Sequence, residues 1–375
     1  MASSRGVAAH RFSRRWLLVA AGAAGLVGAG AVQLPAEAVD ADPDGLRRRI
    51  LAAVPPYVGY AEATSRLGLP EIPQLESVTT LLTTTTRIRA FVAGPDRWRT
   101  DELILAGERV TYRLEDTEYL WDFDDDQITR VLGATSLRLP RAGDLLPPDL
   151  ARRLLALAPD DPVEALPARR IAGRTAAGLR LVPVEPATTV GRVDVWADPA
   201  TALPLRVEVA ARSGPPLLVS EMVEVSDRLP DDADLSPTVP PGAGAVTADA
   251  ADVAGALRVL DAPPAPDGLA GRDRIVDDAP NEVTELPGVG LYGSGLATFV
   301  LIPLGRDIAG RAVDGAAAAG GVVVEVPFGR AVRVTTPLLS VAARAGRGGG
   351  QLLIGPVAPD VLDQALAELP GRGRP

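Results

Sequence analysis

The chain has 375 residues, 47% of them hydrophobic and 23% charged, enough to bury a real core and to fill about two domains. It contains no Cys and no Lys, its single His is His10, and its formal net charge is −10. Disulfides and thiolate zinc sites are therefore excluded, and a bulk electrostatic attraction to nucleic acid or anionic lipid is disfavoured.

Arg5, Arg11, Arg14 and Arg15 precede Trp16 to Leu34, nineteen residues without a charge, and Ala36-Glu37-Ala38 then offers a small-x-small cleavage site. Residues 1–38 are expected to be a signal peptide, and the protein to be extracytoplasmic. Ser13-Arg14-Arg15-Trp16-Leu17-Leu18 loosely fits a twin-arginine signal, with general secretion the alternative. The competing reading is an uncleaved membrane anchor, but the many Gly and Ala residues make the stretch weakly hydrophobic. Cleavage after Ala38 removes four Arg and Glu37, so 38 basic and 48 acidic residues become 34 and 47, a net charge of −13. The sole His is lost as well.

Asp44 is placed to cap a short helix whose Leu46, Ile50, Leu51 and Val54 share a face, stopped by Pro55-Pro56. From Tyr57 the apolar period changes to two. Strands are expected at Val58 to Ser65, Thr84 to Val92, Arg97 to Leu105, Val110 to Leu114, Glu118 to Phe123 and Ile128 to Leu132, close enough for an antiparallel meander. Pro147-Pro148-Asp149 then opens a short amphipathic helix through Leu150, Leu154 and Leu157. Strands resume at Arg169 to Gly173, Gly178 to Val184, Gly191 to Trp196, Leu203 to Ala211 and Leu217 to Val225, with Asp198-Pro199-Ala200-Thr201 as a turn.

Residues 39–241 thus form one expected domain. A linker rich in Ala, Pro, Asp and Gly follows over 242–271, with a short helix near Val253 to Leu260. Residues 272–375 are expected to be a small α+β domain, with strands at Leu296 to Pro303, Val322 to Val326, Ala331 to Val334, Leu338 to Ala343 and Gln351 to Ile354. Arg347-Gly348-Gly349-Gly350 makes a hairpin tip, and a last helix is capped by Asp360 with Leu362, Ala365, Leu366 and Leu369 on one face.

The motifs that carry chemistry are weak. Gly288-Val289-Gly290-Leu291-Tyr292-Gly293 has the letters of a dinucleotide fingerprint, yet Pro287 precedes it and an apolar strand follows where a helix N-terminus is needed. A glycine-rich turn is the better reading. Asp122, Asp124 and Asp126 open like a calcium loop, which then needs Gly and Glu where the chain has Gln127 and Gly133. A triad needs imidazole and a Walker loop needs Lys, and neither exists in residues 39–375. A carboxylate pair roughly 5 to 10 Å apart, as in glycosidases, survives this filter without any spacing that marks it. No cofactor, metal or catalytic residue is assigned.

What remains is an amphipathic sheet. Tyr119, Trp121 and Phe123 share one strand face, and Leu203, Leu205, Val207 and Val209 alternate with Pro204, Arg206 and Glu208. Such a face is either filled as core or left as an apolar cavity. Tyr60, Trp98, Trp121, Phe123, Leu205 and Val207 are the candidate cavity wall.

The export signal, the short helix, Tyr57-Val58-Gly59-Tyr60, Gly94-Pro95-Asp96-Arg97-Trp98-Arg99 and Tyr119-Leu120-Trp121-Asp122-Phe123 together resemble the LolA/RseB-like superfamily, the lipoprotein-carrier fold. Asp198-Pro199-Ala200-Thr201-Ala202-Leu203-Pro204-Leu205-Arg206 is similar to that family's "D..T.LPLR" segment. In the second domain, Gly290-Leu291-Tyr292-Gly293-Ser294-Gly295-Leu296-Ala297-Thr298-Phe299-Val300 and Gly350 to Val357 resemble the RseB-type C-terminal domain. The resemblance implies an α+β, mainly antiparallel β protein: a half-open β-barrel of about eleven strands with short lid helices, plus a small C-terminal α+β domain. It implies a non-catalytic regulator that binds a lipid or acyl chain and a membrane-bound anti-sigma factor, with a lipid or lipoprotein carrier as the alternative. The mycobacterial members carry a lipidated Cys, which this chain lacks. The Lys-free, Ala- and Arg-rich composition suggests a GC-rich actinobacterium, where regulation is favoured over transport to an outer membrane.

Overall fold

The computed structural model describes residues 42–68, 76–105, 107–123, 126–132, 140–237, 242–249, 262–275 and 286–370. The export signal, Asp124 and the helix expected near Val253 to Leu260 lie outside the described residues.

Helix α1 (Pro43–Ala52) leads into β1 (Tyr57–Ser65). Its cap is Asp42 rather than Asp44: the Asp42 carboxylate accepts from the amides of Asp44 at 3.1 Å and Gly45 at 2.9 Å. Pro43 explains the shift, since it is preset for the first helical position and moves the helix start upstream. Helix α2 (Glu76–Thr83), unforeseen in the sequence, precedes β2 (Thr85–Gly94). A meander follows through β3 (Arg97–Ile104), β4 (Gly107–Leu114), β5 (Thr117–Asp122) and β6 (Gln127–Leu132). A 3-10 turn at Ala142–Leu145 and α3 (Pro147–Leu157) separate it from a second meander. That one comprises β7 (Val163–Ile171), β8 (Arg174–Leu181), β9 (Val190–Ala197), β10 (Pro204–Ala211) and β11 (Leu218–Ser226).

The two meanders are joined by β1 pairing with β11, which gives one sheet of order β12-β6-β5-β4-β3-β2-β1-β11-β10-β9-β8-β7. Its twelfth strand, β12 (Gly244–Asp249), comes from the stretch expected as a linker and pairs with β6 in parallel, so the sheet is mixed. Every other pairing in it is antiparallel. The sheet is open, with β12 and β7 at its edges.

Helices α1 and α3 lie on one face. Leu46, Ile50, Leu150 and Leu155 form a buried cluster with Leu179, Val193, Val195, Val207 and Val209. Strand registers place Leu179, Val195 and Val207 side by side, as they do Leu181, Val193 and Val209, so period-two alternation delivers a continuous apolar surface to the helices. Ala61, Ala63 and Ala90 are small enough to let the 3-10 turn approach, and there Ser220 donates its hydroxyl to the Leu145 carbonyl. On the other face a short helix, α4 (Asp232–Leu235), meets β3.

After a small ribbon of β13 (Gly268–Leu269) and β14 (Arg272–Asp273), a second sheet runs β15-β16-β20-β19-β18-β17. It contains β15 (Gly290–Ser294), β16 (Ala297–Leu304), β17 (Val322–Val324), β18 (Arg330–Thr335), β19 (Ser340–Gly346) and β20 (Gly349–Gly355). Helix α5 (Arg306–Ala318) packs Val313 on Val332 and Ala343. Helix α6 (Pro359–Glu368) covers the opposite face through Leu362, Ala365 and Leu366. Its cap is Ala358, and Asp360, the expected cap, sits in the first turn where its charge complements the helix dipole. The fingerprint-like glycines lie in and before β15, and β16 follows where a helix would be required. Gly349 and Gly350 belong to β20, which leaves Arg347-Gly348 as the hairpin tip.

Candidate functional site

The helix-covered face is divided. From β8 across to β2 it is apolar and sealed: Leu205 and Val207 are 0% exposed and lie inside the core. From β3 to β6 the same face turns polar, carrying Thr100, Glu102, Arg109, Thr111, Arg113 and Glu118 in register. The charges there are paired, Arg109 with Asp122 at 3.0 Å and Arg113 with Glu118 at 3.5 Å. Trp98 stands at the border, opposite Val92, half-buried, with its indole N–H donating to the Pro95 carbonyl at 3.1 Å.

Of the six candidate residues, the structure brings Trp98, Leu205 and Val207 to the helix side. Tyr60 and Trp121 are on the opposite face. Tyr60 donates to Glu62 at 2.9 Å, and burial, followed by that bond, pushes its pKa up to about 12. Trp121 is in register with Val110 and Ile128. Phe123 follows β5, 56% exposed, with its ring against Gly107.

Tyr57 is the inward-facing aromatic of β1, 1% exposed, with its hydroxyl lacking a hydrogen-bond partner. It shares strand parity with Ala61 and Ala63, whereas Tyr60 shares it with the charged Glu62. Small residues on one parity and a charge on the other are the sequence signal that separates the two tyrosines.

The opposite face holds an aromatic–arginine layer. The Arg99 guanidinium lies 5.3 Å from the Phe91 ring centre and 5.2 Å from that of Tyr112, and it grips the buried Asp101 at 2.6 and 3.0 Å. It also donates to the Asp234 carbonyl, and Arg97 pairs with Asp232 at 2.7 Å, so this layer pins α4 across β3. The neighbouring carboxylates Asp101 and Glu108 share Arg89. Among the described residues, no group of three or more His, Cys, Asp or Glu side chains is placed to hold a metal, and no helix is long and apolar enough to cross a membrane.

No protein-family profile and no curated protein sequence matches the chain. Solved structures do. Pseudomonas aeruginosa MucB, in its complex with MucA, is 16% identical with a TM-score of 0.50, over 89% of this chain and 100% of that one. A second structure of MucB, with MucA(peri), is 15% identical with a TM-score of 0.47, over 88% and 100%. The Mycobacterium tuberculosis lipoprotein LppX is 14% identical with a TM-score of 0.27, over 48% and 94%. With an open, mostly antiparallel sheet backed by helices and a second, six-stranded sheet, the chain has the fold of MucB.

Proposed function

We propose that this chain is a non-catalytic extracytoplasmic regulator of the RseB type, exported by residues 1–38, which binds a lipid-like ligand and engages a membrane-bound anti-sigma factor. The observation that carries this reading is the extent of the likeness to MucB: it takes in 89% of this chain, too much to leave out either sheet, in a structure where MucB is bound to MucA. In this reading the twelve-stranded sheet is a half-open barrel with α1 and α3 as its lid, and residues 272–375 form the second docking unit. The ligand side is the helix-covered face, with Leu205 and Val207 beneath the helices and Trp98 at their margin. Tyr60 and Trp121 lie on the other face, and Phe123 stands 56% exposed after β5.

The second reading is a lipid or lipoprotein carrier with no signalling partner. It draws on the apolar surface under α1 and α3, which is what an acyl chain requires. Affinity capture of the full-length chain from gently solubilised native membranes separates the two. Co-capture of an anti-sigma factor is expected; lipid with no membrane-protein partner would favour the carrier, and neither would remove both.

A further inference from the structure

The two sheets meet at the connection between β8 and β9. There Ala187 to Thr189 runs antiparallel to Pro356 to Ala358: Thr188 pairs with Val357, the Thr189 amide donates to Pro356 at 3.0 Å, and the Ala358 amide donates to Ala187 at 2.7 Å. Two hydroxyls reach further. Thr188 Oγ1 donates to the Leu296 carbonyl at 2.6 Å, and Thr189 Oγ1 donates to the Leu338 carbonyl at 2.7 Å. Each therefore fastens a turn of the second sheet, Leu296 between β15 and β16 and Leu338 just before β19.

Neither leucine packs only in its own sheet's core. Leu296 is 2% and Leu338 is 4% exposed, and both belong to the apolar cluster that α1 and α3 form with β8 to β10. The turn preceding Leu296 lies against the end of α3, with a side-chain position at Gly295 3.8 Å from the Leu157 carbonyl. The second unit thus supplies two side chains to the interior of the first.

A packed core has no room for an added chain unless something leaves. The β-strand residues beneath the helices cannot leave without breaking the sheet. A leucine on a turn can withdraw with its turn, at the cost of the seam hydrogen bonds. We propose that Leu296 and Leu338 form a plug which holds the place of a single acyl chain, and that a chain entering beneath α3 displaces both leucines and loosens the seam at Thr188 and Thr189. The proposal rests on the reading of the helix-covered face as the ligand side. It adds the route by which occupancy of the first sheet alters the attachment of the second, and coupling of this kind is reciprocal.

The test uses the full chain and two probes, the neutral apolar dye N-phenyl-1-naphthylamine and oleate. The double variant Leu296→Ala/Leu338→Ala is expected to bind the dye at least about tenfold more tightly than the unaltered chain, because the competent state no longer has to expel the plug. Leu353→Ala, which empties an enclosed mid-strand position in the second sheet's own core, is expected to leave dye affinity unchanged. Should the double variant fail to fold, Leu338→Ala alone is read by the same criteria. In the unaltered chain, saturating oleate is expected to speed hydrogen exchange at the amides of Thr189 and Ala358. Equal dye affinity in all three proteins, an equal gain in Leu353→Ala, or oleate bound without faster exchange at those amides would overturn the plug. A working plug in a chain that captures no anti-sigma factor would leave this inference standing and remove the regulatory reading alone.

Discussion

Asp198 shows what the Asp198–Arg206 stretch does. Its carboxylate accepts from the amides of Ala200 at 2.8 Å and Thr201 at 3.3 Å and pairs with Arg174 at 3.0 Å, while Ala202 takes a positive φ of 58°. The segment is a turn-building device between β9 and β10. Burial alone would raise the Asp198 pKa, but the two amides and Arg174 outweigh it and hold it below the ordinary carboxylate value. The folded state then binds fewer protons than the unfolded chain, so this stabilisation is full above the unfolded pKa and is lost as pH falls through the folded one. Asp198→Ala is expected to cost about 1–2 kcal/mol at neutral pH in urea unfolding, with the deficit closing under acid conditions. A deficit independent of pH would contradict the assignment.

Arg344 is the second informative residue. It is 3% exposed and donates to the carbonyls of Leu369 at 2.7 Å and Pro370 at 2.8 Å and to Gln351 at 2.9 Å, so a guanidinium rather than a carboxylate partner network closes the end of α6. Burial holds its pKa below the usual arginine value. Arg344→Ala leaves the buried Leu366 and Leu369 carbonyls without the guanidinium and is expected to cost about 2–4 kcal/mol, and Arg344→Lys, without the planar fork, should restore less than half of that. Full rescue by Lys would show that charge alone is what the site uses.

At the scale of elements, strands with large alternating side chains were legible and elements built from small residues were not. β2 alternates Ile88, Ala90 and Val92 inward with Arg87, Arg89 and Phe91 outward, a pattern that declares itself. Helix α5 buries Ala309 and Val313 with an Ala- and Gly-rich sequence between, so its apolar stripe has almost no large residue to mark it. It sits close on β20: a side chain at Gly350 would meet the Arg344 carbonyl and Ala309. Gly350→Ala is expected to destabilise by about 1–3 kcal/mol by pushing α5 off the sheet, measurable as a lowered urea midpoint. No change on substitution would mean that α5 packs more loosely than this contact states.

Two other elements were hidden for different reasons. β12 has no strand-like sequence of its own and is held by the exposed edge of β6, a tertiary effect that local pattern does not contain. β15 reads as a glycine turn because its one large inward residue is Tyr292, stacked on Phe299 at 5.4 Å. The candidate site was half legible. Alternation identified the faces, but the face turned toward the helices depended on where Ala61 and Ala63 allow close approach, and Tyr57 rather than Tyr60 follows from that.

At the scale of the whole molecule, the seam makes two sheets behave as one body. With Leu296 and Leu338 in the first core and the Thr188–Val357 bridge between the units, calorimetry of the native chain is expected to give one cooperative unfolding transition. Leu296→Ala/Leu338→Ala should divide it into two. Two transitions already present in the unaltered chain would show that the units fold independently and that the seam contributes little.

The regulatory reading requires one chain to offer both sheets to a membrane-held partner. Native mass spectrometry of the full-length protein, released from its own membranes in mild detergent, tests this most directly. The account predicts a mass corresponding to the chain plus an anti-sigma factor; a chain carrying only lipid, or carrying nothing, would contradict it.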